Sequence, residues 1–254
     1  MLPKITVITP SYNQGQFIEQ TIQSVLTQQY PQLEYIIVDG ASTDETLATI
    51  GPYVGQLTLL SEPDTGQSDA INKGLKIATG DIVCWLNSDD CFMPDTLNFV
   101  GAYFAAQPDC LWITGDCSII NSEGISVRKP IRRYKRLLRS LFPSAYLGFT
   151  NAICQPSTFW RRSVHEKLGF LDERLQFTMD YDLWLRLASR QKPYITSNVL
   201  SAFRIHAQSK GVSSFTQQSE ENLATVSRYY SSRTIRKLHQ WHNEVIVKIY
   251  RLIN

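Results

Sequence analysis

The 254 residues, 43% apolar and 19% charged, can bury the core of one large α/β domain or of a domain with a small appendage, which excludes a disordered or low-complexity chain. The net charge of +2 hides an asymmetry: residues 39–95 hold ten Asp or Glu against two Lys, whereas residues 124–165 hold nine Lys or Arg and no acid. One part suits cations and another anions, while the near-neutral total and the lack of a recognised module argue against nucleic acid.

Lys4 to Thr9 predicts a first strand, and Phe17, Ile22, Val25 and Leu26 mark one face of a helix within residues 15–28. Leu33 to Val38 predicts a second strand, after which Ser42 or Thr43 caps a helix that carries Asp44 and Glu45 in its first turn. A strand near residues 57–60, a helix from Ser68 to Ala78, a strand from Ile82 to Leu86, a helix from Pro94 to Ala106 and a strand from Leu111 to Thr114 follow. Repeated βα units imply a mostly parallel sheet flanked by helices.

Beyond Asp116 the pattern loosens. Ser118 to Val127 reads as a hairpin, and Arg128 to Ser140 as a basic tract. A strand at Ser157 to Trp160, a helix from Asp182 to Ser189 and a strand near residues 194–200 precede two terminal helices, Thr216 to Tyr230 and Thr234 to Leu252. Five cysteines without Cys-x-x-Cys spacing suit a reducing cytoplasm. No apolar run is long enough for a signal peptide or a membrane span, so a cytoplasmic chain is expected, with any contact at the inner membrane face peripheral.

The strand Ile82 to Leu86 runs into Asn87-Ser88-Asp89-Asp90, and paired acids at the carboxyl edge of a sheet are poised to hold a divalent cation shared with phosphate. The first strand is followed by Pro10-Ser11-Tyr12-Asn13-Gln14-Gly15, which matches neither a dinucleotide fingerprint nor a P-loop. An aspartyl nucleophile at Asp39 would want a second Asp where Ala41 stands.

Five segments in order, Thr9-Pro10-Ser11-Tyr12-Asn13, Val38-Asp39-Gly40-Ala41-Ser42-Thr43-Asp44, the run from Asp64 to Gly74, Asn87-Ser88-Asp89-Asp90 and Asp180-Tyr181-Asp182-Leu183-Trp184, resemble the family 2 glycosyltransferases of the GT-A fold. The resemblance implies a GT-A catalytic domain over residues 1–210, with a nucleotide-sugar half to 116, an acceptor half from 117 carrying a mobile basic segment at 128–150, and a helical extension over 211–254. It implies an inverting, metal-dependent transfer from a nucleoside-diphosphate sugar to a hydroxyl of a glycan or lipid-linked acceptor, as in cell-surface polysaccharide synthesis.

Residue by residue, the resemblance implies that Pro10 and Tyr12 pack the base and that Asp39 accepts from base or ribose, unless Asp39 only caps its turn. Asp89 contacts ribose, Asp90 binds Mn²⁺ or Mg²⁺, and His206 completes the metal site or is structural; an imidazole ligand tilts the preference to manganese. Flanking Arg204 and Lys210 lie where they could reach phosphate. Asp69 and Lys73 point towards the donor, or Asp69 serves the helix dipole. Asp180 is the expected base, with Met179 standing where the family usually has Glu, and Asp182 lies in the acceptor pocket or caps its helix. Trp160 and Trp184 stack on a sugar or belong to the core.

Two other readings stay open. A sugar-1-phosphate nucleotidyltransferase should carry a Gly-rich, Arg-containing loop after the first strand, which is missing; a degenerate glycan-binding or assembly subunit would be favoured by loss of Asp90 or of both Asp180 and Asp182, all present. The basic tract suits an anionic leaflet or a solvated loop. The last helix, with Ile235, Leu238, Trp241, Val245, Ile249 and Leu252 on one face, packs on the domain, dimerises or meets a membrane.

Overall fold

Strand β1 (Ile5–Ser11) is buried along its whole length and lies between two parallel neighbours. Those neighbours are β2 (Leu33–Asp39) and β4 (Ile82–Trp85), with β3 (Thr58–Ser61) parallel outside β2. Register places Ser11 beside Asp39 and Asp39 beside Ser61, so the carboxyl ends of three strands finish level. The computed structural model describes residues 1–141, 146–207, 209 and 215–253. Lys210 and the expected boundary at 210/211 lie outside the described residues.

The second half of the sheet is mixed. β8 (Thr158–Arg161) pairs antiparallel with β4 and with β6 (Trp112–Ile120), and β9 (Tyr194–Arg204) runs parallel to β6. β5 (Cys91–Phe92) pairs antiparallel with β9, and β7 (Ser126–Val127) closes the expected hairpin on β6, with Gly124 at φ 81° in its turn. Helices α1 (Ile18–Leu26), α3 (Gln67–Ile77) and α4 (Thr96–Ala106) lie where the sequence puts them, but α2 (Thr46–Ile50) starts later than expected, with Glu45 and not Ser42 or Thr43 at its N-cap and no acid in its first turn, because Ser42 and Asp44 are tied into the preceding loop. On α3, a Cβ at Gly74 would stand 2.5 Å from Ile8 Cγ2, so a side chain there would push the helix off the sheet.

Beyond β7 come α5 (Lys129–Leu141), α6 (Tyr146–Phe149), α7 (His165–Leu168), α8 (Met179–Ala188), α9 (Phe215–Tyr229) and α10 (Arg233–Ile253). The basic tract is a helix rather than a loop. Its Pro130 sits in the first turn, where a missing N–H costs nothing, and Leu138 and Arg139 are buried. Asp182 does not cap α8, whose N-cap is Thr178. The turn into α8 is instead held by Glu221 of α9, which accepts from the amides of Gln176 (3.1 Å), Phe177 (2.9 Å) and Thr178 (2.8 Å).

The core centres on four tryptophans. Trp184 stacks between Trp85 and Trp112, each at 5.8 Å between centroids, and Trp160 meets Trp85 and Trp184 edge-on at 5.5 and 5.6 Å. Trp160 and Trp184 are fully buried, so neither presents a ring face to a sugar; their place in the acceptor pocket is corrected by packing.

Candidate active site

The loops after β1 and β2 are stapled together. Ser42 Oγ accepts the Asn13 amide (2.8 Å), Asn13 Oδ1 accepts the Thr43 amide (2.9 Å), and Asp44 accepts the amides of Gly15 (3.0 Å) and Thr46 (2.9 Å). Asp39 is fully buried, its carboxylate taking the Ser42 amide (2.9 Å) and the hydroxyls of Ser42 (2.5 Å) and Ser61 (3.0 Å). It therefore caps its turn, and Ala41 at φ 60° follows in the left-handed region that such a tight reversal needs. Pro10 is buried at the end of β1, not at the surface.

What reaches solvent here is Tyr12, 59% exposed, above Gly40. A Cβ on Gly40 would stand 2.4 Å from Asp64 Oδ2 and 3.4 Å from Tyr12 Cδ2, so glycine allows these two side chains to close over the backbone. Asp64 also accepts the Gly66 amide (2.8 Å). Asp64 is absent from the expected site, although the Asp64-Thr65-Gly66 turn carried its signal.

Asp69 and Lys73 are spent on bracing this turn. Asp69 accepts the Thr65 amide (3.0 Å), which holds its carboxyl below the usual range, and Lys73 donates to Pro63 O (2.8 Å) and pairs with Glu62 (3.0 Å) and Asp69 (3.5 Å). Both side chains tie α3 to the loop that carries Asp64.

The Asn87-Ser88-Asp89-Asp90 turn is pinned from below by Thr21 of α1, whose hydroxyl lies within reach of Ser88 O (2.9 Å) and Asp90 O (2.7 Å). Asp90 faces inward: fully buried, it accepts from the Arg204 amide (2.9 Å) and Asn87 Nδ2 (3.2 Å), and burial, reinforced by the Asp89 charge, pushes its carboxyl well up. Asp89 faces outward, with Oδ2 3.0 Å from His206 Nε2. The expected metal role of Asp90 is thus opposed by its own hydrogen bonds. Arg204 does not reach for phosphate either: it is buried, giving Nε to Asp89 O (2.8 Å) and its terminal nitrogens to Asn121 O (3.2 Å), Ser122 O (3.0 Å) and Gln20 Oε1 (2.8 Å), with the guanidinium 5.1 Å from the Phe17 centroid.

Among the described residues no group of three or more His, Cys, Asp or Glu side chains gathers as a metal cage. The Asp89 and His206 pair nonetheless fits one edge of a coordination sphere. Two adjacent ligands bonded at about 2.1 Å to one ion stand about 3 Å apart, and an open shell of this kind is what a cation shared with phosphate oxygens uses.

Across the same edge, Gln67 Nε2 donates to Asn87 Oδ1 (2.8 Å), Asn87 lies 3.4 Å from Gln155 Oε1, and Gln155 Nε2 donates to Trp85 O (2.7 Å). Asp180, in the first turn of α8, accepts from Asn151 Nδ2 (3.2 Å) and from the Tyr181 amide (2.6 Å), and burial pushes its carboxyl up. Asn151 is positioned by its neighbour Ala152, whose carbonyl takes Arg139 Nη1 (2.8 Å), while Arg139 Nη2 pairs with buried Asp116. Asp182 points away from Asp180 and is consumed by Arg186 (2.9 Å) and the Tyr229 hydroxyl (2.6 Å), which removes it from the acceptor pocket.

A profile described as glycosyl transferase family 2 matches residues 6–169. The chain belongs to that family. It is 30% identical over 213 residues to a protein of Rickettsia prowazekii named an uncharacterized glycosyltransferase, covering 81% of the chain and 65% of that protein. A second of that name from Mycobacterium tuberculosis is 31% identical over 206 residues, covering 79% and 75%. The chain thus spans about 65% of the length of the first of these relatives. The fold is GT-A: a mannosyltransferase from Pyrobaculum calidifontis in complex with GDP-Man and Mn²⁺ superposes with TM-score 0.72 at 22% identity, covering 96% of this chain and 69% of that one. Residues 1–349 of Staphylococcus aureus TarS with UDP-GlcNAc give TM-score 0.70 at 18% identity, covering 93% and 70%.

Proposed function

We propose that the chain transfers a sugar from a nucleoside-diphosphate donor to a hydroxyl of a glycan or lipid-linked acceptor, with inversion at the anomeric carbon. Supporting this reading, family membership joins a sheet edge that carries an exposed aromatic residue at one end and a carboxylate with a raised pKa at the other. Tyr12 and Asp64 offer the nucleoside a stacking face and a polar partner. Asp89 and His206 would hold the divalent ion, and the imidazole favours Mn²⁺ over Mg²⁺. Once bound, such an ion stabilises negative charge on the departing diphosphate.

Asp180 takes the proton of the acceptor hydroxyl while the oxygen attacks the anomeric carbon from the face opposite the diphosphate. One C–O bond forms, the bond to the diphosphate breaks, and inversion follows. The observation that carries the proposal is Asp180 itself: half-buried, held by Asn151, with a carboxyl raised by burial. Asp180→Asn should lower turnover by about 10²- to 10⁴-fold, the usual worth of general base catalysis, with nucleotide binding unchanged. Retained turnover in that variant would remove Asp180 from the chemistry.

A further inference from the structure

Helices α5 and α10 meet where Tyr134 Oη stands 2.6 Å from His242 Nε2, and around that contact the outer surface is both apolar and cationic. Leu137 on α5 is 53% exposed, and Leu238 and Trp241 on α10 are 48% and 59% exposed. Lys129, Arg133 and Arg136 of α5 and Arg233, Arg236 and Lys237 of α10 are exposed beside them. Among the described residues only Arg136 of these six leans on an acid, Asp116 at 3.8 Å. Helix α5 contains no Asp or Glu, and α10 contains one, Glu244, which is exposed and takes Gln240 Nε2 (3.2 Å).

We propose that this two-helix surface docks on an anionic lipid bilayer, with Trp241, Leu238 and Leu137 entering the interface and the cations meeting headgroup phosphates. Exposed Trp and Leu among Lys and Arg is the chemistry of an interfacial helix. Charge complementarity selects the lipid over a second copy of the chain, which would set these six cations against an identical six with Glu244 as the one acid on either helix. Among the described residues no helix is long and apolar enough to cross a membrane.

Four of the five tryptophans, Trp85, Trp112, Trp160 and Trp184, are buried in the core, so a change in emission on lipid binding reports Trp241. The test is co-sedimentation of the intact chain with vesicles of phosphatidylglycerol in phosphatidylcholine, against phosphatidylcholine alone, while tryptophan emission is followed. The proposal expects binding and a blue shift with the anionic vesicles only. Arg133→Ala and Lys237→Ala should each weaken binding about fivefold, added salt should weaken it further, and Trp241→Ser with Leu238→Ser should abolish it with thermal stability retained. No binding, binding without a blue shift, binding untouched by the Trp241 and Leu238 changes, or a lipid-free blue shift that tracks self-association would each overturn it.

Discussion

Replacing Arg204 with Ala should loosen the turn that presents Asp89 and destabilise the whole domain. Its side chain is 1% exposed and donates to four oxygens, of Asp89, Asn121, Ser122 and Gln20. Bonds from a charged donor are worth about 1.5–3 kcal/mol each, but Asn121, Ser122 and Gln20 are half-exposed or exposed, so water can replace the lost partner there. What remains is the bond to Asp89 O and the void left over Phe17, and truncating a large buried side chain costs about 2–5 kcal/mol. A net loss of about 3–5 kcal/mol is expected, a large share of the roughly 5–15 kcal/mol that holds a domain folded. Arg204→Lys should restore little, because an ammonium cannot serve the same fork of acceptors. Urea unfolding at neutral pH measures this directly, and a loss below about 1 kcal/mol would refute the claim that Arg204 organises this edge.

Trp184→Ala should cost about 3–5 kcal/mol in the same assay while leaving acceptor KM unchanged in molecules that still fold, as expected of a core residue. Gly40→Ala should displace Asp64 and Tyr12 and weaken nucleotide binding by calorimetry, with unfolding little affected. The acid limb of kcat/KM should lie above the ordinary Asp range: the base must be ionised, its pKa is raised, and activity is lost as pH falls through that raised value. His239 is buried in α10 with its pKa lowered to about 4 by burial, so the unfolded chain binds more protons between about 4 and the usual His value. Docking of α10 should therefore be complete near neutrality and weaken as pH falls through that window, by hydrogen exchange, and His239→Phe should flatten the dependence.

The first half of the fold is legible because β4 is a continuous apolar run, β1 and β2 are rich in Ile and Val, and α1 and α3 show one-sided spacing, which are local signals. The helical character of residues 129–141 is masked in the sequence: Ile131, Tyr134 and Leu138 recur at helical spacing, but the seven cations from Arg128 to Arg139 dominate the composition. In the site, the motifs located the right edge of the sheet, but not which way each side chain turns. That Asp90 turns inward depends on the Arg204 amide 114 residues away, and that Asp182 is drawn into a buried contact with Arg186 and Tyr229 depends on a residue of α9. The tryptophans illustrate the same limit: composition cannot tell a sugar platform from a core stack, whereas the stacking of Trp184 between Trp85 and Trp112 decides it.

The proposed nucleoside-diphosphate site is completed by a cation at Asp89 and His206. Calorimetric titration of the protein with UDP, GDP and dTDP, each with and without Mn²⁺, tests it most directly. One of these nucleotides is expected to bind tightly and to need the metal to do so. Binding of none of them, or equal affinity with and without Mn²⁺, would contradict it.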